Sequence, residues 1–491
     1  MFMFSKRVSC LVMDASYKLQ HEEFVSQNNG TSPGEVLLLC SVMPISSLLL
    51  HLLLLQVQFN TVCQIGVEIL VLVIPTVFAY TIWNDYVISL IICLVLTCFC
   101  LILYIRMNET YEKDKIHIMC EDINNDHSRI SFLKNSVIGE KIHECLLKEF
   151  RCQLLLSTII CILAVDFEVF PRSLIKTEIY GWSLMDTGVG IFVLVNAFYS
   201  GHARGKNYDK KMEYLRKLLK SCLPLLLLGI TRMLIVKFIG YHEHVTEYGV
   251  HWNFFMTLAV TKIVCTVTML IFPWCNCGLL SVVIIIIYQY MLSGCKLNNY
   301  LFSDQRDDIF QANKEGLYSL LGYISLYFAG VELGKFFSKP RNTLQEWLKV
   351  LLTIWILNVI LWIFMKDVSH SIEQVSRRTA NLPYCLWMIC LTLILLGIYL
   401  SNYIILEGII NFTESPVIKR CPIILWNSMN NYALFYFLYG NVLTGIINLT
   451  IQTIYLSRTT SLIIIIGYII IISISIVSLH MYSNKFKNKI K

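Results

Sequence analysis

Long apolar segments recur along almost the whole chain and constrain its fold more than any other feature. Each approaches the roughly 20 residues that a helix needs to cross a bilayer. Because lipid offers the backbone no hydrogen-bond partner, such segments fold as helices. We therefore predict an all-α fold, a polytopic transmembrane helix bundle of about thirteen spans. The predicted spans are residues 36–58, 64–84, 87–105, 152–166, 184–200, 221–240, 252–272, 276–292, 316–333, 346–365, 382–410, 428–452 and 459–481.

The composition excludes the soluble globular classes. Of the 491 residues, 56% are hydrophobic and only 15% are charged, a balance typical of membrane proteins. The 18 cysteines are scattered without paired ligand spacing, which indicates small buried side chains rather than a disulfide or zinc framework. The sequence has no phosphate-binding loop and no nucleic-acid motif, so we expect no cofactor and no nucleic-acid partner.

The charges of the loops predict the orientation in the membrane. An odd number of spans places the two ends of the chain on opposite sides. Most of the loop lysines and arginines fall on one side, in residues 106–151, 201–220 and 483–491 among others. The positive-inside rule makes these two loops and the basic tail cytosolic.

The N-terminal segment, residues 1–35, is then lumenal, and residues 36–482 form the transmembrane domain. A lumenal N-terminus agrees with the glycosylation sequon at Asn29. In the tail, Lys487 and Lys489 stand at the positions of a retrieval signal of endoplasmic reticulum membrane proteins, and a generic basic flank is the alternative.

Two of the predicted spans are short or interrupted. Residues 152–166 end at Asp166, and residues 184–200 contain Asp186 close to two glycines. Irregular backbone at membrane depth is tolerated only beside protein or water. This pattern predicts interrupted helices around a central cavity.

The charged segment between these two spans, from Asp166 to Glu178, is the first candidate site. Charged groups at a membrane boundary are costly and tend to be functional. Pro171 breaks the helix, so that Lys176 can fold back towards Asp166. A carboxylate beside an ammonium then forms a base and its orienting partner, and a structural salt bridge is the alternative. Arg172 and Glu178 of this segment, and Asp186 in the span after it, are candidate substrate-binding residues.

A second polar cluster follows the span at 221–240. Its aromatic and amide side chains suit recognition of a polar lipid headgroup, and an aromatic belt is the alternative. Metal binding is disfavoured because His242, His244 and His251 have no compact ligand spacing. The candidate substrate-binding residues of this cluster are Glu247, His251, Trp252 and Asn253.

Further basic side chains occur within or beside apolar spans. Arg232 lies inside one and needs an anionic partner, either a phosphate of a ligand or a buried carboxylate such as Glu332 or Glu407. Other groups open the spans at 316–333 and 382–410, where they suit a headgroup phosphate or act as interfacial anchors. These candidates are Asn313, Lys314, Arg377, Arg378 and Asn381.

Taken together, these segments resemble the phosphatidylinositol-glycan class W family, the inositol acyltransferases of glycosylphosphatidylinositol (GPI) anchor synthesis. The resemblance begins near residue 20 and keeps the order and similar spacing of the family's segments. The segments that carry it are Leu163–Phe167, Phe170–Arg172, Lys176–Glu178, Tyr180–Gly181, Met185–Gly190, Glu247–Phe255, Asn313–Gly316 and Val375–Asn381.

The resemblance implies a reaction in the endoplasmic reticulum membrane. The family transfers a fatty acyl chain, typically palmitoyl, from acyl-CoA as co-substrate to the inositol 2-hydroxyl of glucosaminyl-phosphatidylinositol. A thioester is already activated, so the enzyme needs a base and oxyanion stabilisation rather than a nucleophile of its own. Asp166 and Lys176 match the family's proposed acid–base pair. We therefore expect Asp166 to be the general base and Lys176 its orienting group or the oxyanion partner.

Two other functions compete with acyl transfer. Interrupted helices and Arg232 also suit a transporter or flippase of lipids or solutes, which would tolerate loss of Asp166. A non-catalytic scaffold subunit of a membrane synthase would tolerate both Asp166→Asn and Lys176→Ala.

Overall fold

The computed structural model describes residues 15–26, 28–119, 142–205, 211–239, 245–413 and 422–490. In these residues all regular secondary structure is helical, so the predicted all-α fold is confirmed. The helices are α1 (Ala15–Val25), α2 (Pro33–Gln56), α3 (Thr61–Tyr80), α4 (Val87–Met119), α5 (Ile142–Ala164), α6 (Thr187–Phe198), α7 (Lys211–Ile239), α8 (Val245–Tyr248), α9 (Phe254–Ile271), α10 (Cys277–Gly294), α11 (Leu297–Leu301), α12 (Ile309–Ala312), α13 (Lys314–Ser338), α14 (Leu344–Ser371), α15 (Leu382–Thr413), α16 (Ile424–Asn431), α17 (Ala433–Thr450) and α18 (Arg458–Ile490).

Ten helices of the described part are long and apolar enough to cross a membrane, which confirms a polytopic helical bundle. The ten are α2, α3, α4, α9, α10, α13, α14, α15, α17 and α18. The other three predicted spans coincide with α5, α6 and α7. Helix α6 has 12 residues and is about 18 Å long, shorter than the hydrocarbon core. The count of about thirteen spans stays a prediction.

The bundle has a buried centre and lipid-facing flanks. Helices α2 and α15 are largely buried, whereas α4 and α14 expose most of their apolar surface. Helix α15 packs against α14, α2 and α5, and α13 packs against α10 and α6. The exposed side chains of α4 and α14 are those that a bilayer would cover. They include Ile88, Ile92, Leu96, Phe99, Ile356, Val359, Ile360 and Ile363.

Four connecting segments meet at one face of the bundle. Residues 165–186, 245–253, 295–313 and 372–381 contact one another through hydrogen bonds and ion pairs. We call these four segments the polar layer. At the opposite face, the Glu68 carboxylate accepts from the first backbone N–H groups of α16. The side of the membrane on which each face lies and the central cavity stay predictions.

Candidate active site in the polar layer

Arg172 fixes the conformation of the polar-layer segment 165–186. Helix α5 ends at Ala164, and the chain makes only a short 3₁₀ turn before α6. The Arg172 guanidinium donates to the carbonyls of Val165, Phe167 and Phe170. Burial lowers the pKa of Arg172 to about 10. Arg172, expected at the substrate, thus uses its donors to fix the fold of the segment.

Asp166 is buried and has two partners. Its Oδ2 accepts a 2.7 Å hydrogen bond from Asn448 Nδ2 on α17, and its Oδ1 lies 3.1 Å from His21 Nε2 on α1. The contact expected between Asp166 and Lys176 is wrong. The turn that was to bring them together is taken up by the carbonyl contacts of Arg172, and both oxygens of Asp166 face other elements.

Lys176 belongs instead to a row of alternating charges. Its Nζ lies 2.9 Å from Glu247 Oε1. Glu247 Oε1 lies 3.6 Å from Arg377 Nη2, and Arg377 Nε lies 2.7 Å from Asp186 Oδ1. The Lys176 side chain is 40% exposed and that of Arg377 only 4%, so the row leads from the surface into the protein.

The inner end of this row is a buried ion pair between Arg377 and Asp186 that joins two segments of the chain. Asp186 accepts from the backbone and hydroxyl of Thr177, and its own carbonyl accepts from the Tyr384 hydroxyl. Burial disfavours the charged guanidinium of Arg377, but the Glu247 and Asp186 carboxylates oppose it, and the pKa is raised. Asp186 and Arg377 thus tie segment 165–186 to the start of α15, and their role at the substrate stays a prediction.

Two more predicted phosphate ligands are also occupied within the protein. Lys314 is fully buried and donates to the carbonyls of Tyr300, Ser303 and Gln305. Arg378 donates to Glu315 Oε1 at 2.9 Å. The Lys314 contacts hold the connection between α10 and α13, and the Arg378 contact joins the segment before α15 to α13.

The predicted amide and aromatic ligands are also used internally. Asn313 Oδ1 accepts from the His251 backbone at 2.7 Å, and Trp252 Nε1 donates to Thr257. Asn253 caps α9 through its side-chain oxygen. Asn381 does the same for the turn before α15, accepting from the backbone N–H groups of Ser376 and Tyr384. The polar character that suggested headgroup recognition therefore serves the packing of loops.

Arg232 lies on the exposed side of α7, and its anionic partner stays a prediction. Glu332, one carboxylate considered for it, pairs with Lys335 at 3.1 Å. The hydropathy pattern places Arg232 within an apolar run, but it does not specify which side of the helix faces protein.

A pocket of about 690 Å³ opens at the edge of the polar layer. It lies between the segment after Thr177, the C-terminal end of α14 and the residues that precede α2. Glu178 and the sequon residue Asn29 line it, as does Lys366, whose Nζ lies 5.7 Å from the centroid of the Trp182 ring. Of the predicted substrate-binding residues, Glu178 is the one at this pocket.

The chain matches the GWT1 family over residues 17–479. The chain belongs to the GWT1 family. It is 32% identical over 512 residues to the glucosaminyl-phosphatidylinositol-acyltransferase PIGW of Bos taurus, covering 96% of this chain and 99% of the relative. The phosphatidylinositol-glycan biosynthesis class W protein of Dictyostelium discoideum is 32% identical over 503 residues, covering 93% and 96%. The GPI-anchored wall transfer protein 1 of Saccharomyces cerevisiae is 35% identical over 372 residues, covering 68% and 73%. The resemblance noted in the sequence is thereby confirmed.

Sequence reasoning missed three residues of this GWT1-family site. His21 lies in the N-terminal segment outside its only singled-out motif, the sequon at Asn29, and Asn448 is one amide within an apolar span. Lys366 ends an apolar helix and is indistinguishable in sequence from an interfacial anchor. An isolated polar residue within a span could have identified Asn448, because such residues need an internal partner.

The described residues of this GWT1-family chain contain no group of three or more His, Cys, Asp or Glu side chains that could hold a metal ion. His251 is bonded to Asn313 through its backbone. His242 and His244 lie outside the described residues.

Proposed function

We propose that this chain transfers a fatty acyl group from acyl-CoA to the inositol 2-hydroxyl of glucosaminyl-phosphatidylinositol, a step of GPI-anchor synthesis. Two observations support the proposal. The chain aligns along almost its whole length with a relative named for acyl transfer to this lipid, and a buried carboxylate with two directional partners stands at the polar layer. The second observation carries the chemistry, because hydroxyl attack on a thioester needs a fixed base.

In the proposed step the Asp166 carboxylate takes the proton of the inositol hydroxyl. The hydroxyl oxygen forms a bond to the acyl carbonyl carbon, and the carbon–sulfur bond then breaks. CoA leaves as a thiolate and receives a proton from solvent or from Asp166. A thioester has a good leaving group, so a nucleophile supplied by the enzyme is unnecessary.

The partners of Asp166 have distinct roles in this proposal. Asn448 donates to one oxygen and orients the carboxylate, and His21 faces the other oxygen. Lys176 belongs to a different cluster and is partly exposed. We assign it the developing oxyanion of the acyl carbonyl, since a cation near that oxygen favours the transition state.

We further propose that the protein is a multi-pass protein of the endoplasmic reticulum membrane, with the polar layer on the lumenal side. The basic loops at 106–151 and 201–220 support this orientation. The thioester must then be presented to the lumenal end of the bundle from acyl-CoA made in the cytosol.

The test is acyl transfer by the purified protein in lipid nanodiscs. Radiolabelled palmitoyl-CoA and glucosaminyl-phosphatidylinositol are supplied, and the lipid product is identified by mass spectrometry. Label is expected in the inositol-acylated lipid with wild type and with Asp85→Asn, an exposed carboxylate near the start of α4. No product is expected with Asp166→Asn. A wild type that forms no acylated lipid, or an Asp166→Asn variant that forms it at the normal rate, would overturn the proposal.

A further inference from the structure

The pocket at the edge of the polar layer has walls that are fixed by main-chain hydrogen bonds. Thr31 N donates to Trp182 O at 2.6 Å, and Gly181 N donates to Val375 O at 2.9 Å. Gly181 has a φ of 138°, and a Cβ there would lie 2.5 Å from the carbonyl oxygen of Asn29. Residues 29–31 and 181–182 therefore approach more closely than a larger residue at position 181 would permit. The pocket is formed without a ligand.

The pocket is polar and carries both signs of charge. Glu178 lines one side, and Lys366 and His370 line the other. Trp182 offers a ring face beside the Lys366 ammonium and is itself held edge-on by Trp387, with 5.0 Å between ring centroids. A ligand with separated anionic and cationic groups matches this arrangement.

The basic side of the pocket continues a stripe of lipid-facing residues on α14. Successive spacings of three and four residues place the members of this stripe on one face of the helix. Ile356, Val359 and Ile363 are exposed and apolar, and Lys366 and His370 continue the same face into the pocket. An apolar stripe that ends in basic groups at a membrane boundary fits an amphiphile with an anionic head.

We infer that this pocket binds the headgroup of an anionic, amine-bearing glycolipid whose acyl chains lie along the stripe of α14. Its phosphodiester contacts Lys366 and His370, and its amino sugar contacts Glu178. The inference rests on the proposed function, because the acceptor lipid named there has this chemistry. The N-terminal segment links the pocket to Asp166, because His21 faces Asp166 and Asn28, seven residues later, lines the pocket.

Steady-state kinetics in nanodiscs test the inference through the Michaelis constant of the acceptor. Every protein in this comparison carries Asn29→Gln, because a glycan at Asn29 would narrow the pocket and enzymatic removal would leave an aspartate or a sugar there. Lys366→Gln and Glu178→Gln are each expected to raise the KM for glucosaminyl-phosphatidylinositol about tenfold, the factor that corresponds to one lost charged contact. The kcat and the KM for palmitoyl-CoA are expected to stay within about twofold of wild type.

Two matched variants control for charge and position. Lys349→Gln removes an exposed lysine from the same helix about 25 Å away. Asp367→Asn removes an exposed carboxylate adjacent to Lys366 that does not line the pocket. Both are expected to keep the wild-type KM. An unchanged acceptor KM in Lys366→Gln and Glu178→Gln, or an equal rise in the controls, would overturn the inference.

A binding measurement separates this inference from the proposed function. Radiolabelled glucosaminyl-phosphatidylinositol and phosphatidylinositol are bound to the Asp166→Asn protein, which needs no turnover. Adding Lys366→Gln should weaken the binding of both lipids, whereas adding Glu178→Gln should weaken the binding of only the amine-bearing lipid. If these losses appear while wild type shows no acyl transfer, the headgroup site stands and the proposed function fails. If wild type transfers acyl chains but neither variant loses binding, the headgroup site fails alone.

A third arm distinguishes a lipid site from a site for free anions. Inorganic phosphate at millimolar concentration is added to the same binding reactions. Little competition is expected, because the acyl chains on α14 contribute to binding. Phosphate competing as well as phosphatidylinositol would overturn the inference.

Discussion

Asp166 has a defined partner on each carboxylate oxygen, so its amide isostere is an informative variant. Asp166→Asn keeps the size of the side chain and removes its basicity. We expect kcat to fall about 10²- to 10⁴-fold, the usual contribution of a general base, while expression and lipid binding persist. Acyl transfer and binding are measured on the same nanodisc preparation. Near-normal kcat, or loss of the folded protein, would favour a purely structural role.

The separation of Asp166 from Lys176 leads to a second residue-scale prediction. Two groups that act as one unit give losses that do not add, which is what a direct pair would produce. In the structure the two side chains contact different partners. The kcat losses of Asp166→Asn and Lys176→Ala are therefore expected to multiply in the double variant. A double variant whose kcat is no lower than that of the less active single variant would indicate that the two groups act as one unit.

These contacts also show how much of the site is visible in the sequence. The segment and the importance of Asp166 and Lys176 could be proposed from charge, proline and resemblance. Their partners could not, since Glu247 follows Lys176 by 71 residues and Asn448 follows Asp166 by 282. A spacing of ten residues favoured the wrong pair, because side-chain direction after a turn is not encoded by spacing.

At the scale of elements, the buried Arg377–Asp186 ion pair between segment 165–186 and the start of α15 supports a stability prediction. Arg377→Met leaves Asp186 buried without its cation, which is expected to cost about 3–5 kcal/mol. Replacing both groups, with Asp186→Leu and Arg377→Met, removes the unpaired charge and is expected to recover part of that loss. Thermal unfolding midpoints in detergent measure both. A double variant less stable than Arg377→Met would contradict this account.

Close packing of α13 against the same turn gives another prediction. Ala380 has a φ of 50°, and a Cβ at Gly322 would lie 2.0 Å from its carbonyl oxygen. Gly322→Ala is expected to destabilise the protein by about 1–3 kcal/mol, because backbone cannot yield as a flexible side chain can. Gly467→Ala, which meets nothing within 4 Å, is the control and should be neutral or slightly stabilising. Equal unfolding midpoints for the two variants would argue against tight packing here.

Elements were more predictable than contacts, with one consistent error. The apolar runs located the spanning helices but underestimated the length of helices with polar ends. Helix α5 begins at Ile142, ten residues before the predicted span, because Glu149 is buried inside the bundle with Ser47 and His51. Hydropathy records the composition of a segment, whereas burial of a charged side chain depends on partners from other helices.

At the scale of the whole molecule, contacts between distant segments divide the chain into two faces. The Tyr17 hydroxyl of α1 lies 3.2 Å from the Thr453 hydroxyl, in the turn before α18. Towards the other end of α18, His480 lies 3.4 Å from Asn431 of α16. The described ends of the chain therefore lie at opposite faces of the bundle, which agrees with the predicted odd number of spans.

This arrangement and the basic loops together predict a lumenal N-terminus and a cytosolic C-terminus. Lys148 and Arg151, in the described part of the basic loop 106–151, donate to Asn427 and Asn430 of α16, the helix that contacts the end of α18. Positive charge is retained in the cytosol. A C-terminal tag in sealed microsomes should be digested by added protease without detergent. Enzymatic deglycosylation should increase the gel mobility of wild type and leave Asn29→Gln unchanged. A tag protected until detergent is added would reverse the orientation, place Asp166 and the pocket on the cytosolic side, and remove the need to carry the thioester across the membrane.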